Sequence, residues 1–373
     1  MARNLFAFIA PLALVPALIG CSASAPPPPP PLTPEALAAV VQNPPVPRAD
    51  LARAVDALFT DPAAGETRAV IVLQGGRLIA QRYASGYHEN TRFVSWSMAK
   101  SITGVMIGML VSDGRLRLDE PAPIPAWQRP GDPRGEITLR QLLQMRSGLR
   151  HAEAIMPPYK SDEVRMLFLD GRDAMARYAE EQPLQYEPGR KWVYSTATSV
   201  ILADLAARVL APAPDPESRR RAVGDYLRTR LFEPVGMRSM LPEFDASGTL
   251  IGGSLIHGTA RDWARFGEFL RNRGAVAGAQ LVPRQWIDFM VKPSPREAQY
   301  GAQIWLNRTP TNGKPALFPT SGPRDLFACL GHLGQFVLVS PSRRLVVVRL
   351  GKTREDTLEP VTNRLGDLVA LFQ

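Results

Sequence analysis

Two pairs of apolar, β-branched segments, one near each end of the chain, constrain the fold more than any other feature of the sequence. The first pair, RAVIVLQGGRLIAQRY at residues 68–83, reverses at Gly75 and Gly76, and the second, QFVLVSPSRRLVVVRL at residues 335–350, reverses at residues 340–344. Each pair predicts a β-hairpin. Helical spacing of apolar residues occurs at residues 139–145, 173–181, 199–210, 223–231, 259–272, 283–290 and 357–372. We therefore expect an α/β protein of the α+β type, in which both chain ends build one antiparallel sheet flanked by helices, with a helical subdomain inserted between the hairpins.

The first 48 residues differ in composition from the rest of the chain. Arg3 is followed by an apolar run that ends in Leu-Ile-Gly-Cys21, the pattern of an export signal. This ending resembles the lipobox of bacterial lipoproteins. The resemblance implies cleavage before Cys21, lipidation of Cys21 and anchoring at the periplasmic face of a membrane, with Ser22 indicating the outer membrane; an ordinary signal peptide is the alternative. Six prolines at residues 26–31 and others up to Pro47 indicate a stiff tether. The predicted organisation is a signal peptide at residues 1–20, a Pro-rich tether at 21–48 and one globular domain at 49–373.

The charge and the motif content exclude several classes of function. The net charge of +9 comes without a basic run interleaved with aromatic residues, so we expect no nucleic-acid partner. The sequence contains no Gly-x-Ser-x-Gly, no Walker loop and no dinucleotide fingerprint. Its four histidines are far apart and lack metal-binding spacing, so we expect neither a metal nor a cofactor.

A single Ser-x-x-Lys pair, Ser97 and Lys100 in FVSWSMAKSITG, is the leading candidate for chemistry. The apolar residues that follow recur at helical spacing, so Ser97 lies at or near the start of a buried helix, with Lys100 on the same face. Burial and the positive end of the helix dipole lower the pKa of such a lysine, toward a neutral amine that accepts the serine proton. From these residues alone, a solvated lysine on an ordinary helix remains equally open.

Six segments in order along the chain resemble the β-lactamase-related serine hydrolases. They are FVSWSMAKSITG (93–104), GRLRLDEP (114–121), ITLRQLLQMRSGL (137–149), PGRKWVYST (188–196), TARDWARFG (259–267) and GHLGQ (331–335). That group contains class C β-lactamases, D-alanyl-D-alanine carboxypeptidases, family VIII-type carboxylesterases and 6-aminohexanoate-dimer hydrolase, and the segments are most similar to the last two. The resemblance covers about residues 67–372. It implies the β-lactamase and penicillin-binding-protein fold and a serine hydrolase that works through an acyl-enzyme.

The resemblance also implies roles for individual residues. Ser97 matches the nucleophile and Lys100 its general base. Tyr194 matches a tyrosine that relays a proton to the leaving group, helped if Lys100 lowers its pKa. The backbone N–H groups of Ser97 and Gln335 would form the oxyanion hole, which needs no particular side chain at residue 335.

Two departures from the family pattern bear on the substrate. Thr196 replaces the asparagine with which β-lactamases hold the substrate amide, and His332-Leu333-Gly334 replaces the Lys-Thr-Gly that recognises the β-lactam carboxylate. We expect Thr196, His332 and Gly334 to bind substrate, together with Tyr159 from a loop over the site. Because anion recognition is weakened, an esterase or amidase is favoured, acting on a small ester, amide or peptide-like molecule. The alternatives are D,D-peptidase or β-lactamase activity, and an inactive protein that binds cell-wall peptides.

Overall fold

A six-stranded antiparallel sheet forms the centre of the computed structural model, which describes residues 31–41, 43–153, 155–212, 215–309, 317 and 322–373. The strands are β1 (Glu66–Gln74), β2 (Arg77–Tyr83), β3 (Arg92–Val94), β4 (Leu241–Pro242), β5 (Ile256–Thr259), β6 (Ala275–Val276), β7 (Ala279–Gln280), β8 (Trp305–Leu306), β9 (Phe327–Gly331), β10 (Gln335–Ser340) and β11 (Leu345–Lys352). The large sheet has the order β2-β1-β11-β10-β9-β8, while β3-β5-β4 and β6-β7 form two small sheets. Both predicted hairpins are present, and β1 pairs with β11. The prediction of one antiparallel sheet built from both chain ends is therefore confirmed.

Helices lie on both faces of this sheet, and most of them are in the chain between β3 and β8. They are α1 (Pro34–Ala38), α2 (Arg48–Thr60), α3 (Ala99–Ser112), α4 (Leu139–Leu143), α5 (Asp162–Phe168), α6 (Met175–Glu180), α7 (Thr196–Leu210), α8 (Pro216–Leu227), α9 (Glu233–Val235), α10 (Ala260–Arg271), α11 (Arg284–Met290) and α12 (Leu358–Ala370). Each predicted helical stretch overlaps one of them, whereas α1, α2, α5 and α9 were not predicted. None of the helices in the described ranges is both long and apolar enough to cross a bilayer.

Alternation along the central strands divides the apolar core into two layers. On β1, Ile71 and Leu73 face the layer that contains α3, α7 and α10, whereas Val70 and Val72 face the layer that contains α2 and α12. Successive side chains of a strand point to opposite faces, so a strand covered on both sides is apolar throughout. The larger layer holds α3, whose residues 99–110 are all buried, and this helix carries the site.

The segment that precedes α2 does not have the conformation of a tether. Thr33 caps α1 through its side chain, Ala36 and Val40 are buried, and Val41 donates its N–H to the carbonyl oxygen of Ile79 on β2 at 3.1 Å. The predicted tether at residues 21–48 is therefore corrected from residue 34 onward, because alternating apolar residues between the prolines pack on the domain. Cys21 and the predicted signal peptide lie outside the described residues.

Candidate active site

The serine of the Ser-x-x-Lys pair lies in a short 3₁₀ helix, Trp96–Met98, between β3 and α3. Trp96 adopts a φ of 47°. The preceding residue fixes this turn: Ser95 Oγ lies 2.9 Å from the carbonyl oxygen of Ser254 and accepts the N–H of Ile256 at 3.1 Å. Ser97 is thereby held at the entrance of α3.

Lys100 lies one turn further along and is 2% exposed. Its Nζ is 3.0 Å from Ser97 Oγ, 2.9 Å from Thr196 Oγ1 and 2.8 Å from the carbonyl oxygen of Gly253. These three acceptors match the three N–H bonds of a protonated lysine. A neutral amine has two N–H bonds, so it donates to two of these oxygens and directs its lone pair at the third.

Opposing influences set the charge of Lys100. Burial lowers its pKa, and the carboxylates of Glu153 and Glu163 raise it in part. A buried ammonium loses its hydration, which favours the neutral amine. Lys100 can therefore give up its proton more easily than an exposed lysine and accept the one on Ser97.

Tyr194 approaches the same serine from the residues that precede α7. Its hydroxyl interacts with Ser97, and Lys100 Nζ lies 4.9 Å from the centre of its ring. Burial raises the pKa of Tyr194 far above its usual value and Glu153 adds to this, while the Ser97 hydrogen bond opposes it. The expected lowering of the Tyr194 pKa is wrong, because burial disfavours the charged phenolate and raises the pKa.

Three further aromatic rings pack around Tyr194. Its ring centre lies 5.4 Å from that of Trp305 and 5.9 Å from that of Tyr300, and Trp192 lies 6.3 Å away. Aromatic pairs at these separations contribute to stability beyond the area that they bury. They form a rigid wall that fixes the Tyr194 hydroxyl against Ser97.

Thr196, the first residue of α7, does not face substrate. It is fully buried, and its hydroxyl lies between Lys100 Nζ and the carboxylate of Glu153. The prediction of a substrate-binding role for Thr196 is corrected, because the side chain is fully buried and its one donor proton is committed to Glu153.

Glu153 is a residue of the site that the sequence analysis missed. Its Oε1 accepts the Thr196 hydroxyl at 2.7 Å, and its Oε2 accepts the backbone N–H of the same residue. Burial raises the pKa of Glu153 to about 7, although the Lys100 ammonium lowers it in part. No spacing in the sequence connects residues 153 and 196, so this contact becomes visible once the chain is folded.

The turn between β9 and β10 (residues 332–334) packs beside the serine. A Cβ at Gly331 would lie 2.4 Å from the carbonyl oxygen of Ser95, so this close approach requires glycine. Beneath the turn, the buried side-chain amide of Gln335 is 3.0 Å from the carbonyl oxygen of His332 and 2.8 Å from that of Gly351 on β11. The expectation that residue 335 needs no particular side chain is wrong, because this amide ties the turn to the sheet.

Gly334 also faces away from the serine. Its carbonyl oxygen accepts a hydrogen bond of 2.8 Å from Arg349. Arg349 is fully buried and also donates to the hydroxyls of Thr67 and Thr353. A Cβ at Gly334 would lie 3.0 Å from the Arg349 guanidinium. The prediction that Gly334 binds substrate is therefore corrected.

His332 lies at the mouth of the site, with its side chain half exposed. Its ring meets that of Trp96 edge-on at 5.3 Å, and its Nδ1 is 2.8 Å from Glu355 Oε1. The hydrogen bond to Glu355 raises the pKa of His332, against an opposing effect of partial burial. The imidazole is thus more readily protonated than a free histidine, and a carboxylate already balances its charge.

Both β9 and β10 pack against the 3₁₀ helix that carries Ser97. Gln335 is the first residue of β10 and is in register with Gly331, the last residue of β9. Backbone amides beside a nucleophile are the donors that an oxyanion requires.

Tyr159, predicted to touch substrate, lies in the short 3₁₀ helix Pro158–Lys160 and is 62% exposed. Within the described chain, no hydrogen bond or ring contact connects it to the residues around Ser97.

The described part of the chain contains no group of three or more His, Cys, Asp or Glu side chains arranged to hold a metal ion.

Comparisons with known proteins agree with this fold. The chain belongs to the beta-lactamase family, whose model matches residues 55–371. It is 23% identical to the 6-aminohexanoate-dimer hydrolase of Paenarthrobacter ureafaciens over 290 residues, 76% of this chain and 72% of that protein. A Bacillus anthracis structure assigned as a 6-aminohexanoate-dimer hydrolase superposes with a TM-score of 0.67 at 22% identity, covering 84% of this chain and 81% of the other. A family VIII carboxylesterase superposes with a TM-score of 0.61 at 15% identity, covering 85% and 97%. The predicted family and fold class are confirmed.

Proposed function

We propose that the protein is a serine hydrolase that cleaves an ester or amide bond through an acyl-enzyme on Ser97, with Lys100 as general base and Tyr194 as proton relay. The observation that carries the proposal is the 3.0 Å contact between Ser97 Oγ and the buried Lys100 Nζ. The Tyr194 hydroxyl interacts with the same serine. A nucleophile, a base and a proton donor within hydrogen-bond reach are what acyl transfer needs, and an inactive binding protein has no need of them.

Acylation begins when Lys100 Nζ takes the hydroxyl proton and Ser97 Oγ attacks the substrate carbonyl carbon. The electron pair of the carbonyl double bond moves onto its oxygen. When the tetrahedral intermediate collapses, the bond to the leaving group breaks. Tyr194 gives its hydroxyl proton to the leaving oxygen or nitrogen and takes the proton held by Lys100. Water then repeats the sequence on the acyl-enzyme, which releases the acid and restores Ser97.

The backbone N–H groups of Ser97 and Gln335 complete the oxyanion hole in this proposal. The support is that β10, which begins at Gln335, and β9 both pack against the 3₁₀ helix of Ser97. The Gln335 side chain supports the hole from below by holding the carbonyl oxygen of His332.

Esters and amides without a carboxylate suit the site better than β-lactams do. A β-lactam carboxylate needs a cation, and His332 at the mouth of the site already pairs with Glu355. An incoming carboxylate would have to compete with Glu355. A charge-assisted hydrogen bond is worth about 1.5–3 kcal/mol, or about ten- to a hundredfold in binding.

Ser97→Ala tests the nucleophile directly. The variant is expected to lose covalent labelling by a fluorophosphonate probe, and turnover should fall by about 10³-fold or more. Ser101→Ala is the matched control, since Ser101 is buried one turn later and donates to the carbonyl of Gln303 instead. Retention of labelling and activity in Ser97→Ala would overturn the proposal.

A substrate panel separates the alternatives. We expect kcat/KM for a short-chain p-nitrophenyl ester to exceed that for nitrocefin and for a D-Ala-D-Ala peptide. The double variant His332→Lys with Leu333→Thr should raise nitrocefin turnover relative to ester turnover. A natural preference for nitrocefin or for the peptide would establish the β-lactamase or D,D-peptidase alternative.

We also propose that the mature protein is anchored by a lipid on Cys21 at the periplasmic face of the outer membrane. The support is the Leu-Ile-Gly-Cys ending of the apolar run and Ser22 after it. Mass spectrometry of the amino-terminal peptide tests this. An unmodified Cys21, or cleavage elsewhere, would refute the lipid anchor.

A further inference from the structure

Thr196 connects the proposed base to a partly buried carboxylate. Its Oγ1 lies 2.9 Å from Lys100 Nζ and 2.7 Å from Glu153 Oε1. An ionised carboxylate can accept hydrogen bonds but cannot donate them. The one hydroxyl proton of Thr196 therefore points to Glu153, and an oxygen lone pair remains for Lys100. Ser97, Lys100, Thr196 and Glu153 form one continuous hydrogen-bonded chain.

We propose that Glu153 is a positioning residue of the general base: through the Thr196 hydroxyl its carboxylate orients Lys100 and stabilises the ammonium that forms when Lys100 takes the Ser97 proton. This inference rests on the proposed function and adds a residue to it. In Ser-His-Asp triads, a buried carboxylate orients the base and stabilises its cation without becoming protonated itself. Here Lys100 has the role that histidine has in such a triad, and the Thr196 hydroxyl connects it to the Glu153 carboxylate.

The proton balance of the reaction is unchanged by this role. As the bond from Ser97 Oγ to the substrate carbon forms, one proton moves from Ser97 to Lys100, and none moves to Glu153. The new positive charge forms on Lys100, and the Thr196 hydroxyl connects Lys100 to the negative charge of Glu153. Because the site is buried, this attraction is weakened less than it would be in water.

The other titratable groups around Glu153 do not replace it. Glu163 opposes the ionisation of Glu153. Tyr194 and Tyr300 stay neutral, since burial raises the pKa of each. His151, two residues before Glu153, is also neutral because burial lowers its pKa to about 4. Lys100 is the group whose charge offsets that of Glu153.

Glu153→Gln keeps an acceptor for the Thr196 hydroxyl but removes the charge. Since the carboxylate raises the pKa of Lys100, its loss lets Lys100 give up its proton at lower pH. The acid limb of the kcat/KM pH profile reflects the fraction of Lys100 that is a neutral amine. This limb should therefore move to lower pH in Glu153→Gln. The plateau should fall about ten- to a hundredfold, because the developing ammonium has lost its counter-charge.

The experiment compares pH profiles of p-nitrophenyl ester hydrolysis for the natural protein, Glu153→Gln and Glu153→Asp, with melting temperatures measured in parallel. Glu153→Asp keeps the charge and should leave the acid limb near its natural position. The matched control is Glu180→Gln, because burial raises the pKa of Glu180 to about 7 as well, yet Glu180 pairs with Arg208. The acid limb of the Glu180→Gln profile should not move. An unmoved acid limb in Glu153→Gln would overturn the inference.

A second pair of variants covers the case in which Glu153→Gln does not fold. Thr196→Val removes the hydroxyl at nearly constant shape and should lower the plateau, and Thr196→Ser should restore it. Full activity in Thr196→Val would refute the link through Thr196. Failure of the proposed function is distinguishable, because Ser97→Ala would then keep its labelling whatever the Glu153 variants do.

Discussion

At the scale of single residues, the contacts of Lys100 define what can replace it. Arginine would keep a positive charge but cannot lose its proton near neutral pH. We expect Lys100→Arg to lower fluorophosphonate labelling and turnover by about 10³-fold or more. Lys160→Arg, in the exposed 3₁₀ helix Pro158–Lys160, is the control and should change neither. Substantial activity in Lys100→Arg would mean that residue 100 acts as a cation and not as a base.

Glu355 controls the charge at the mouth of the site. Its hydrogen bond raises the pKa of His332, so Glu355→Gln should lower that pKa and confine the cation to more acidic pH. Below this lowered pKa, His332 is protonated without a carboxylate partner and should bind an anionic acyl chain better. We expect the KM of a succinyl ester to fall at about pH 5 relative to that of a butyryl ester. An unchanged ratio of the two KM values would show that His332 does not contact the acyl group.

The sequence identified the residues of the site whose roles depend on short spacing and missed those whose roles depend on long-range contacts. Ser97 and Lys100 are three positions apart, and their geometry follows from one helix. Glu153 reaches Thr196 across 43 positions, and no periodicity reports such a contact. The side-chain contacts of Thr196 and Gln335 were missed for the same reason. Their side chains bind groups beneath the site that a motif does not contain.

At the scale of elements, the β9–β10 turn decides where the proposed oxyanion donor lies. The Gln335 side chain holds the turn to β11 through Gly351. We expect Gln335→Ala to lower kcat about ten- to a hundredfold with little change in KM, because a misplaced donor weakens the transition state more than substrate binding. Binding of a boronic acid, whose tetrahedral adduct uses the same hole, should weaken in parallel. Gln128→Ala, at an exposed position, is the control; a change in KM alone would contradict this role.

The length of an element decided whether the sequence could predict it. The long strands of the two hairpins and the helix α10 repeat their apolar pattern often enough to be recognised. Strands of two or three residues, such as β3 and β8, carry no period, and their pairing partners determine them. The helices α1 and α2 were missed because prolines surround the first and start the second, although proline is well tolerated in a first helical turn.

At the scale of the whole molecule, the segment at residues 31–47 protects one edge of the large sheet. β2 is the outermost strand; Gln81 on it donates its N–H to the carbonyl of Ala39 at 2.8 Å, and Val41 bonds Ile79. A chain that begins at residue 48 should melt several degrees lower than one that begins at residue 31, because it loses buried apolar surface and exposes a strand edge. Calorimetry and size-exclusion chromatography measure this. Equal melting temperatures and no self-association would show that the segment is dispensable.

The pairing of β1 with β11 also has a consequence for how the protein is made. The two strands pair residues as far apart as Glu66 and Lys352, which are 286 positions apart along the chain. A ribosome finishes β1 long before β11 exists, and until then the sheet lacks the strand that joins β1 to β10. Folds closed by such distant contacts form slowly. A newly synthesised chain therefore stays open until its last strands emerge, which is the state in which a polypeptide can be threaded through a membrane channel.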